Sequence, residues 1–275
     1  VTRNIIAIIQ KIRLEPPDFF RIKARFGLST EIRRCQLLID VLVLPQFGND
    51  REFVNKRIVV FDVLRATSTI VTALYNGATE VIPVQEPDEA LNLVSSIGRK
   101  TCLLGGERKG IKIEGFNLGN SPLEYTKEQV DGKKIILCTT NGTKTIRLFQ
   151  NAAEVLIGSY LNMERLVAYL IKNPQDTTLV CSGREGVLCL EDLACAGMII
   201  RLVTEVVEAE LTDAAKVALF TAEHNIGVSL VKFISQTEHG RYLDSIGMGE
   251  DLQFCTALNS APIIPRFKEG RIIFT

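Results

Sequence analysis

The chain has 275 residues, is 46% apolar and 23% charged, and carries a formal net charge of zero. That length fits one large α/β domain or two small ones, with enough apolar residues for a sizeable core. Neutrality removes any general electrostatic case for nucleic acid or a membrane surface, and no window reaches about 18 uninterrupted apolar residues, so no spanning helix is expected.

Residues 1–34 hold eight Lys or Arg and three acids. They begin VTRNIIAIIQKI and break at Pro16-Pro17, and they read as a basic, amphipathic N-terminal extension. Their apolar run is short and lacks a small-residue cleavage site, so a secretory signal is not expected. From residue 37 the pattern becomes regular. LLIDVLVL (37–44) is a strand ended by Pro45, and RIVVFDV (57–63) is a second, wholly apolar run of the kind covered on both faces. A helix is expected over 68–76 and stops at Gly77. TEVIPV (79–84) is a strand, 87–97 a helix ended by Gly98, and KTCLLGG (100–106) a strand entering a glycine turn.

Residues 107–132 form a polar, glycine-rich connection, long enough to suggest function. Strands follow at KKIILCTT (133–140), AEVLIGS (153–159) and TTLVCSG (177–183), separated by helices over 143–149 and 162–172. Further helices are expected over 190–207, within 211–233 and over 246–259. APIIPRFKEGRIIFT closes the chain as a hairpin turning at Glu269-Gly270.

An internal repeat runs through this order. RIVVFDVLRATSTIVTALYNGATEVIPV resembles KIILCTTNGTKTIRLFQNAAEVLIGS, most closely at Thr67-Ser68-Thr69-Ile70 and Thr143-Lys144-Thr145-Ile146. Repeated βα units argue for a three-layer α/β/α fold with a largely parallel or mixed sheet. The expected organisation is a 1–34 extension and an α/β region over 35–275, as one domain or two similar subdomains. The seven cysteines (Cys35, Cys102, Cys138, Cys181, Cys189, Cys195, Cys255) form no CxxC pair and lie largely in apolar runs. Buried, reduced thiols in a cytoplasmic protein are expected. Only two histidines, His224 and His239, leave little imidazole for a zinc site.

Ligands of open α/β sheets bind outside the carboxyl ends of strands. Four polar loops fall there: DVLRATS (62–68), GGERKG (105–110), TTNGT (139–143) and SGREGVLCLED (182–192). A helix start offers unpaired N–H groups and partial positive charge, and Arg65 adds planar donors suited to phosphate or sulfonate. Capping explains the hydroxyls of Thr67 and Ser68 but not Asp62 with Arg65 at one strand end. TTNGT repeats the theme, and two such loops suit a ligand with two anionic ends. Asp62, Glu107, Glu191 and Asp192 supply carboxylates for a hard cation such as Mg²⁺. Rival phosphatase patterns fail. Cys138 and Cys181 are followed six places on by Lys144 and Val187 rather than Arg, and Leu64 fills the second Asp place of DxDx[TV]. A Walker loop and a GxSxG elbow are absent.

The ordered set DVLRATST (62–69), GERxGxKIEGFxLGNSP (106–122), TTNGT (139–143) and SGxEGxxxLED (182–192) resembles the 2-phosphosulfolactate phosphatases. HGRYLDSIGMGEDLQFC (239–255) and PIIPRFKEG (262–270) are similar too, so the resemblance runs from about residue 37 to 273. It implies a three-layer α/β/α fold and a Mg²⁺-dependent hydrolase. The implied reaction converts (R)-2-phospho-3-sulfolactate to 3-sulfolactate and phosphate, toward coenzyme M. Carried over by position, Asp62, Glu191 and Asp192 are expected near the metal, and Asp62, Arg65, Glu107 and Asp192 in catalysis. Arg65, Thr67, Ser68, Thr140, Asn141, Gly142 and Thr143 are expected to bind anion, with Arg108, Asn120, Ser121 and Arg241 lining the substrate. No covalent nucleophile is assigned. Residues 1–34 have no counterpart in the pattern, and Val187 and Cys189 stand where more polar residues are expected. That departure bears on the substrate. The alternatives are a phosphatase of another small 2-phospho carboxylic acid and a non-catalytic anion-binding regulatory protein. The sequence is compatible with a homo-oligomer.

Overall fold

A computed structural model describes residues 37–48, 53–98, 100–225 and 227–274. The basic extension expected over 1–34 and Cys35 lie outside the described residues. Among the described residues, eleven strands form one mixed sheet. They are β1 (Leu37–Leu42), β2 (Arg57–Phe61), β3 (Glu80–Val84), β4 (Cys102–Arg108), β5 (Ile111–Lys112), β6 (Lys134–Cys138), β7 (Glu154–Gly158), β8 (Thr177–Cys181), β9 (Ala209–Leu211), β10 (Arg266–Lys268) and β11 (Arg271–Ile273). Their order is β5-β4-β6-β3-β11-β10-β7-β2-β8-β1-β9.

Strand β2 shows why the sheet needs cover on both faces. Its five residues are all buried. Ile58 and Val60 enter the core beneath α1 (Ala66–Tyr75) and α4 (Gly142–Leu148), beside Ile70, Leu74 and Ile146. Val59 and Phe61 enter the opposite core beneath α5 (Met163–Lys172) and α6 (Leu190–Thr204), beside Leu166, Ile199 and Val203. Each such fully buried aliphatic side chain contributes about 1.5–3 kcal/mol relative to exposure. The α1/α4 layer continues over β6 through Ile135 and Leu137. On the other face of β6, Ile136 and Cys138 pack with Ala90 and Val94 of α2 (Pro87–Ile97). The result is the expected three-layer α/β/α arrangement.

The repeated units are interleaved. The first is β2–α1–β3 and the second β6–α4–β7, but β2 pairs in parallel with β7, and β3 with β6. The C-terminal hairpin β10–β11 joins these two parallel sets. Each of its strands is antiparallel to its neighbour, so the sets run in opposite senses by pairing. Twist of roughly 20–25° per neighbouring pair accumulates over the five steps from β6 to β2 to roughly 100–125°. Gly142, just past β6, stands against Asp62, just past β2. Both hairpin turn residues have positive φ, Glu269 at 50° range (φ 51) and Gly270 (φ 79), the backbone a tight hairpin turn requires.

The helix expected over 68–76 begins earlier, at Ala66. Between the helices expected over 190–207 and 211–233, the chain inserts β9, because pairing with the exposed edge of β1 overrides local helical pattern. Then come α7 (Asp213–His224), α8 (Leu230–Ser235), α9 (Glu238–Ser245) and α10 (Gly249–Cys255), the last inside the region expected as 246–259. One short helix, α3 (Lys127–Val130), lies in the long polar connection. Cys102, Cys138, Cys181, Cys189, Cys195 and Cys255 are free and buried. Among the described residues, no helix is long and apolar enough to cross a membrane.

Candidate active site

The turn from β2 into α1 is braced by its own hydroxyls. The Asp62 N–H donates to Thr67 Oγ1 (3.2 Å), the Thr67 N–H donates to the Asp62 carbonyl (2.9 Å), and Ser68 Oγ donates to the Val63 carbonyl (2.9 Å). The Leu64–Arg65 peptide inside this turn is cis. The β6–α4 turn repeats the device. The Thr139 N–H donates to Thr143 Oγ1 and the Thr143 N–H to Thr139 Oγ1, both at 3.1 Å. Thr67, Ser68 and Thr143 are therefore buried struts of the loops. Their hydroxyls do not line the cleft described below.

The two helix starts meet at Gly142. A Cβ there would fall 2.7 Å from Asp62 Oδ2 and 2.6 Å from the Ala66 Cβ. Only glycine lets α4 begin against the Asp62 carboxylate. Asp62 Oδ1 accepts the Ala66 N–H (3.2 Å), and Oδ2 has no hydrogen-bond partner among the described residues. Burial pushes the Asp62 carboxyl up from 3.8 to about 6, against the lowering influence of His239.

The other three predicted acids are held in bonds of their own. Glu107 accepts the Thr140 N–H (2.8 Å), the Gly110 N–H (2.7 Å) and Thr140 Oγ1 (3.2 Å), clamping its own loop to the TTNGT loop. Asp192 accepts the Val63 N–H through Oδ1 (2.9 Å) and the Gly183 N–H through Oδ2 (3.3 Å). Burial, then the charges of Asp62 and Glu191, push its carboxyl well above the usual range. Glu191 Oε1 lies 3.0 Å from His239 Nδ1, while Oε2 is buried without a hydrogen-bond partner. Burial raises the Glu191 carboxyl, but the His239 bond and charge outweigh it and leave it below 4.5. Glu191 and Asp192 thus stand behind the site rather than in its wall.

Asp62, Arg65, Thr140, Asn141, Arg184 and His239 share the wall of one cleft, with Glu107, Asn120, Lys109 and Glu185 around them. Arg65 is pinned by Asp251 (2.6 Å) and the Gly110 carbonyl (2.8 Å). Arg184 stacks on Tyr242, its guanidinium carbon 3.8 Å from the ring centroid. Asn120 lines the cleft, and its Oδ1 is buried without a hydrogen-bond partner. Three predicted contacts are turned elsewhere. Arg108 donates to the Gln85 carbonyl (2.7 Å), Ser121 Oγ to Asp251 (2.5 Å), and Arg241 to the Gln236 carbonyl.

Asp62 and the Asn120 amide supply hard oxygen donors on the cleft, which suits Mg²⁺ with water and substrate oxygens completing its shell. Cys189, Glu191 and His239 also place a thiol, a carboxylate and an imidazole within 4.8 Å of one another. There the Glu191–His239 bond takes Glu191 Oε1 and His239 Nδ1, and burial pushes the Cys189 thiol up.

Sequence reasoning missed Lys109, Arg184, His239, Tyr242 and Asp251. Arg184 sits inside SGREG, and His239 opens HGRYLDS. One of only two histidines at the head of a quoted motif was the available signal.

Comparison with known proteins agrees with this architecture. The family model described as 2-phosphosulpholactate phosphatase matches residues 45–270. A protein of Caldanaerobacter subterraneus subsp. tengcongensis named "Probable 2-phosphosulfolactate phosphatase" is 43% identical over 225 residues, 81% of this chain and 92% of the relative. A Clostridium perfringens protein of the same name is 42% identical over 237 residues, 85% of this chain and 95% of the relative. One from Clostridium tetani is 38% identical over 234 residues, 85% and 99% of the two chains. With both the motif order and the length of the match accounted for, the chain belongs to the 2-phosphosulfolactate phosphatase family.

Proposed function

We propose that the chain is a cytoplasmic, Mg²⁺-dependent phosphatase that hydrolyses (R)-2-phospho-3-sulfolactate to 3-sulfolactate and phosphate, a step toward coenzyme M. Its family's activity is phosphoric monoester hydrolysis. The observation that carries the proposal is the charge pattern of the cleft. Three cations, Arg65, Lys109 and Arg184, share the wall with the carboxylates of Asp62, Glu107 and Glu185, and Asp62 keeps one oxygen free of hydrogen bonds. A small molecule bearing phosphate, carboxylate and sulfonate needs such a wall, with few apolar contacts.

Asp62 and Asn120 would hold Mg²⁺, which when bound polarises the phosphoryl group and neutralises charge on it. Arg65, fixed in place by Asp251 and Gly110, presents its remaining donors without reorganisation. Arg184 and Lys109 take the carboxylate and sulfonate ends. Glu107 and Asp192 keep the loops in register through their bonds to main-chain N–H groups.

Val187, Leu188 and Leu190 are exposed beside the cleft, around a second hollow that shares Arg184 and His239. They favour a second reading, a 2-phospho acid with an apolar substituent in place of the sulfomethyl group. Phosphate release across a panel of 2-phospho acids separates the two. Fastest turnover of the sulfonate supports the first, and fastest turnover of an apolar analogue supports the second. Binding of every panel member without phosphate release would refute both.

A further inference from the structure

Of the groups on the cleft, His239 has the most elaborate support and no role yet. It sits in the first turn of α9, whose start is capped by Thr237 Oγ1 accepting the Gly240 N–H at 3.0 Å. A Cβ at Gly240 would fall 2.0 Å from the Ile234 carbonyl, so glycine is needed for α9 to pack this close to α8. The ring lines the cleft beside Asp62, Thr140 and Arg184. Its Nδ1 is taken by Glu191 Oε1 at 3.0 Å, which leaves Nε2 as the ring atom available to a ligand. Glu191 is anchored in turn. It lies in the first turn of α6, and its carbonyl accepts the hydroxyl of fully buried Tyr160 at 3.0 Å.

Among the other cleft groups, Asp62 would hold the cation proposed above, and Glu185 is exposed to water. Arg65 and Arg184 offer guanidinium donors that bind anions. Glu107 is consumed by three hydrogen bonds, and the Tyr242 hydroxyl donates to the Lys109 carbonyl at 2.9 Å. Lys109 is exposed to water. The buried carboxylate of Glu191, with one oxygen unpartnered, lies opposite the imidazole and neutralises it when it is charged.

We infer that His239, oriented by Glu191, is the general acid that protonates the leaving oxygen of the phosphate ester. This rests on the phosphatase assignment proposed above. The water oxygen forms the new bond to phosphorus and passes its proton to a phosphoryl oxygen. The bond from phosphorus to the C2 oxygen breaks, and that oxygen takes the proton from Nε2. The product phosphate then returns a proton to the ring, so the sum is ester and water giving alcohol and phosphate. An alkoxide leaves poorly without such a proton, whereas a nitrophenolate leaves without help.

The test compares wild type with His239→Asn and Glu191→Gln on (R)-2-phospho-3-sulfolactate and on p-nitrophenyl phosphate. We expect His239→Asn to lower kcat on the alkyl ester by about 10²–10⁴-fold and to affect the aryl ester far less. Glu191→Gln should show the same selectivity with a smaller loss. In His239→Ala, added imidazole should recover turnover of the alkyl ester, a result that a structural role cannot give. Equal losses on both esters, no loss on the alkyl ester, or no recovery with imidazole overturns the role of His239 alone. A wild type that releases no phosphate from either ester overturns the phosphatase assignment itself.

Discussion

Arg65 and Asp251 face each other at 2.6 Å, with 2% of either side chain exposed, although they lie 186 residues apart in the chain. Asp251 also accepts Ser121 Oγ. One carboxylate therefore joins the β2 loop, the long polar connection and α10. Removing it leaves a buried guanidinium without its partner. For Asp251→Ala we expect a loss of about 3–5 kcal/mol in urea unfolding. A loss under about 1 kcal/mol would show that water or another acid replaces the pair.

Asp62 sets a pH dependence of stability in the metal-free protein. Its folded pKa of about 6 is raised above 3.8 by burial. The fold favours the neutral acid, so this contribution is present below about pH 4 and is lost as pH rises through about 6. Asp62→Asn stays neutral throughout. In excess chelator it should match wild type below pH 4 and exceed it at pH 8 by on the order of 2–3 kcal/mol. Equal stability of the two proteins at both pH values in denaturant titrations would contradict the burial argument.

Glu107 is expected to act on the loops rather than on the phosphoryl group. Glu107→Ala frees the N–H groups of Thr140 and Gly110 and should lower stability by about 1–3 kcal/mol. KM should rise as the Thr140 wall loosens. A variant with unchanged thermal midpoint and unchanged KM would rule out the clamp.

Arg184 and Arg241 make a contrasting pair. Arg184 lines the cleft against Tyr242, whereas Arg241 bonds back to the Gln236 carbonyl. Arg184→Ala should raise KM by about 10–100-fold, the loss of one or two charge-assisted hydrogen bonds. Arg241→Ala should leave steady-state kinetics and unfolding close to wild type, as surface changes usually do. The opposite ranking in kinetics would reverse these assignments.

Much of the frame was legible because its signals are local. The apolar run 57–61 announced a strand covered on both faces, and Asp62 stood out at its end. The Thr67–Ile70 and Thr143–Ile146 match disclosed the repeat, but not that β2 would pair with the far strand of the other unit. Glu269-Gly270 gave the hairpin, though not its place in the middle of the sheet. The site was legible in part. Strand-end position separates neither Asp62 from Asp192 nor a wall residue from a strut. Asp192 binds the N–H groups of Val63 and Gly183, and Thr143 the N–H of Thr139, which only the folded loops reveal. Arg65 carries its local promise of anion binding, yet its fixed partner comes from α10. His239 has no periodic or spacing signal, and its meaning comes from Glu191, 48 residues earlier.

The most direct measurement is steady-state phosphate release from (R)-2-phospho-3-sulfolactate by wild type and Asp62→Asn, each with Mg²⁺ and with excess chelator. Wild type should turn over with Mg²⁺ and stop in chelator. Asp62→Asn, folded by circular dichroism, should be slower by at least about 10²-fold, in line with loss of a preorganised electrostatic group. Undiminished release by the folded variant, or by wild type in chelator, would contradict a metal-assisted phosphatase centred on Asp62.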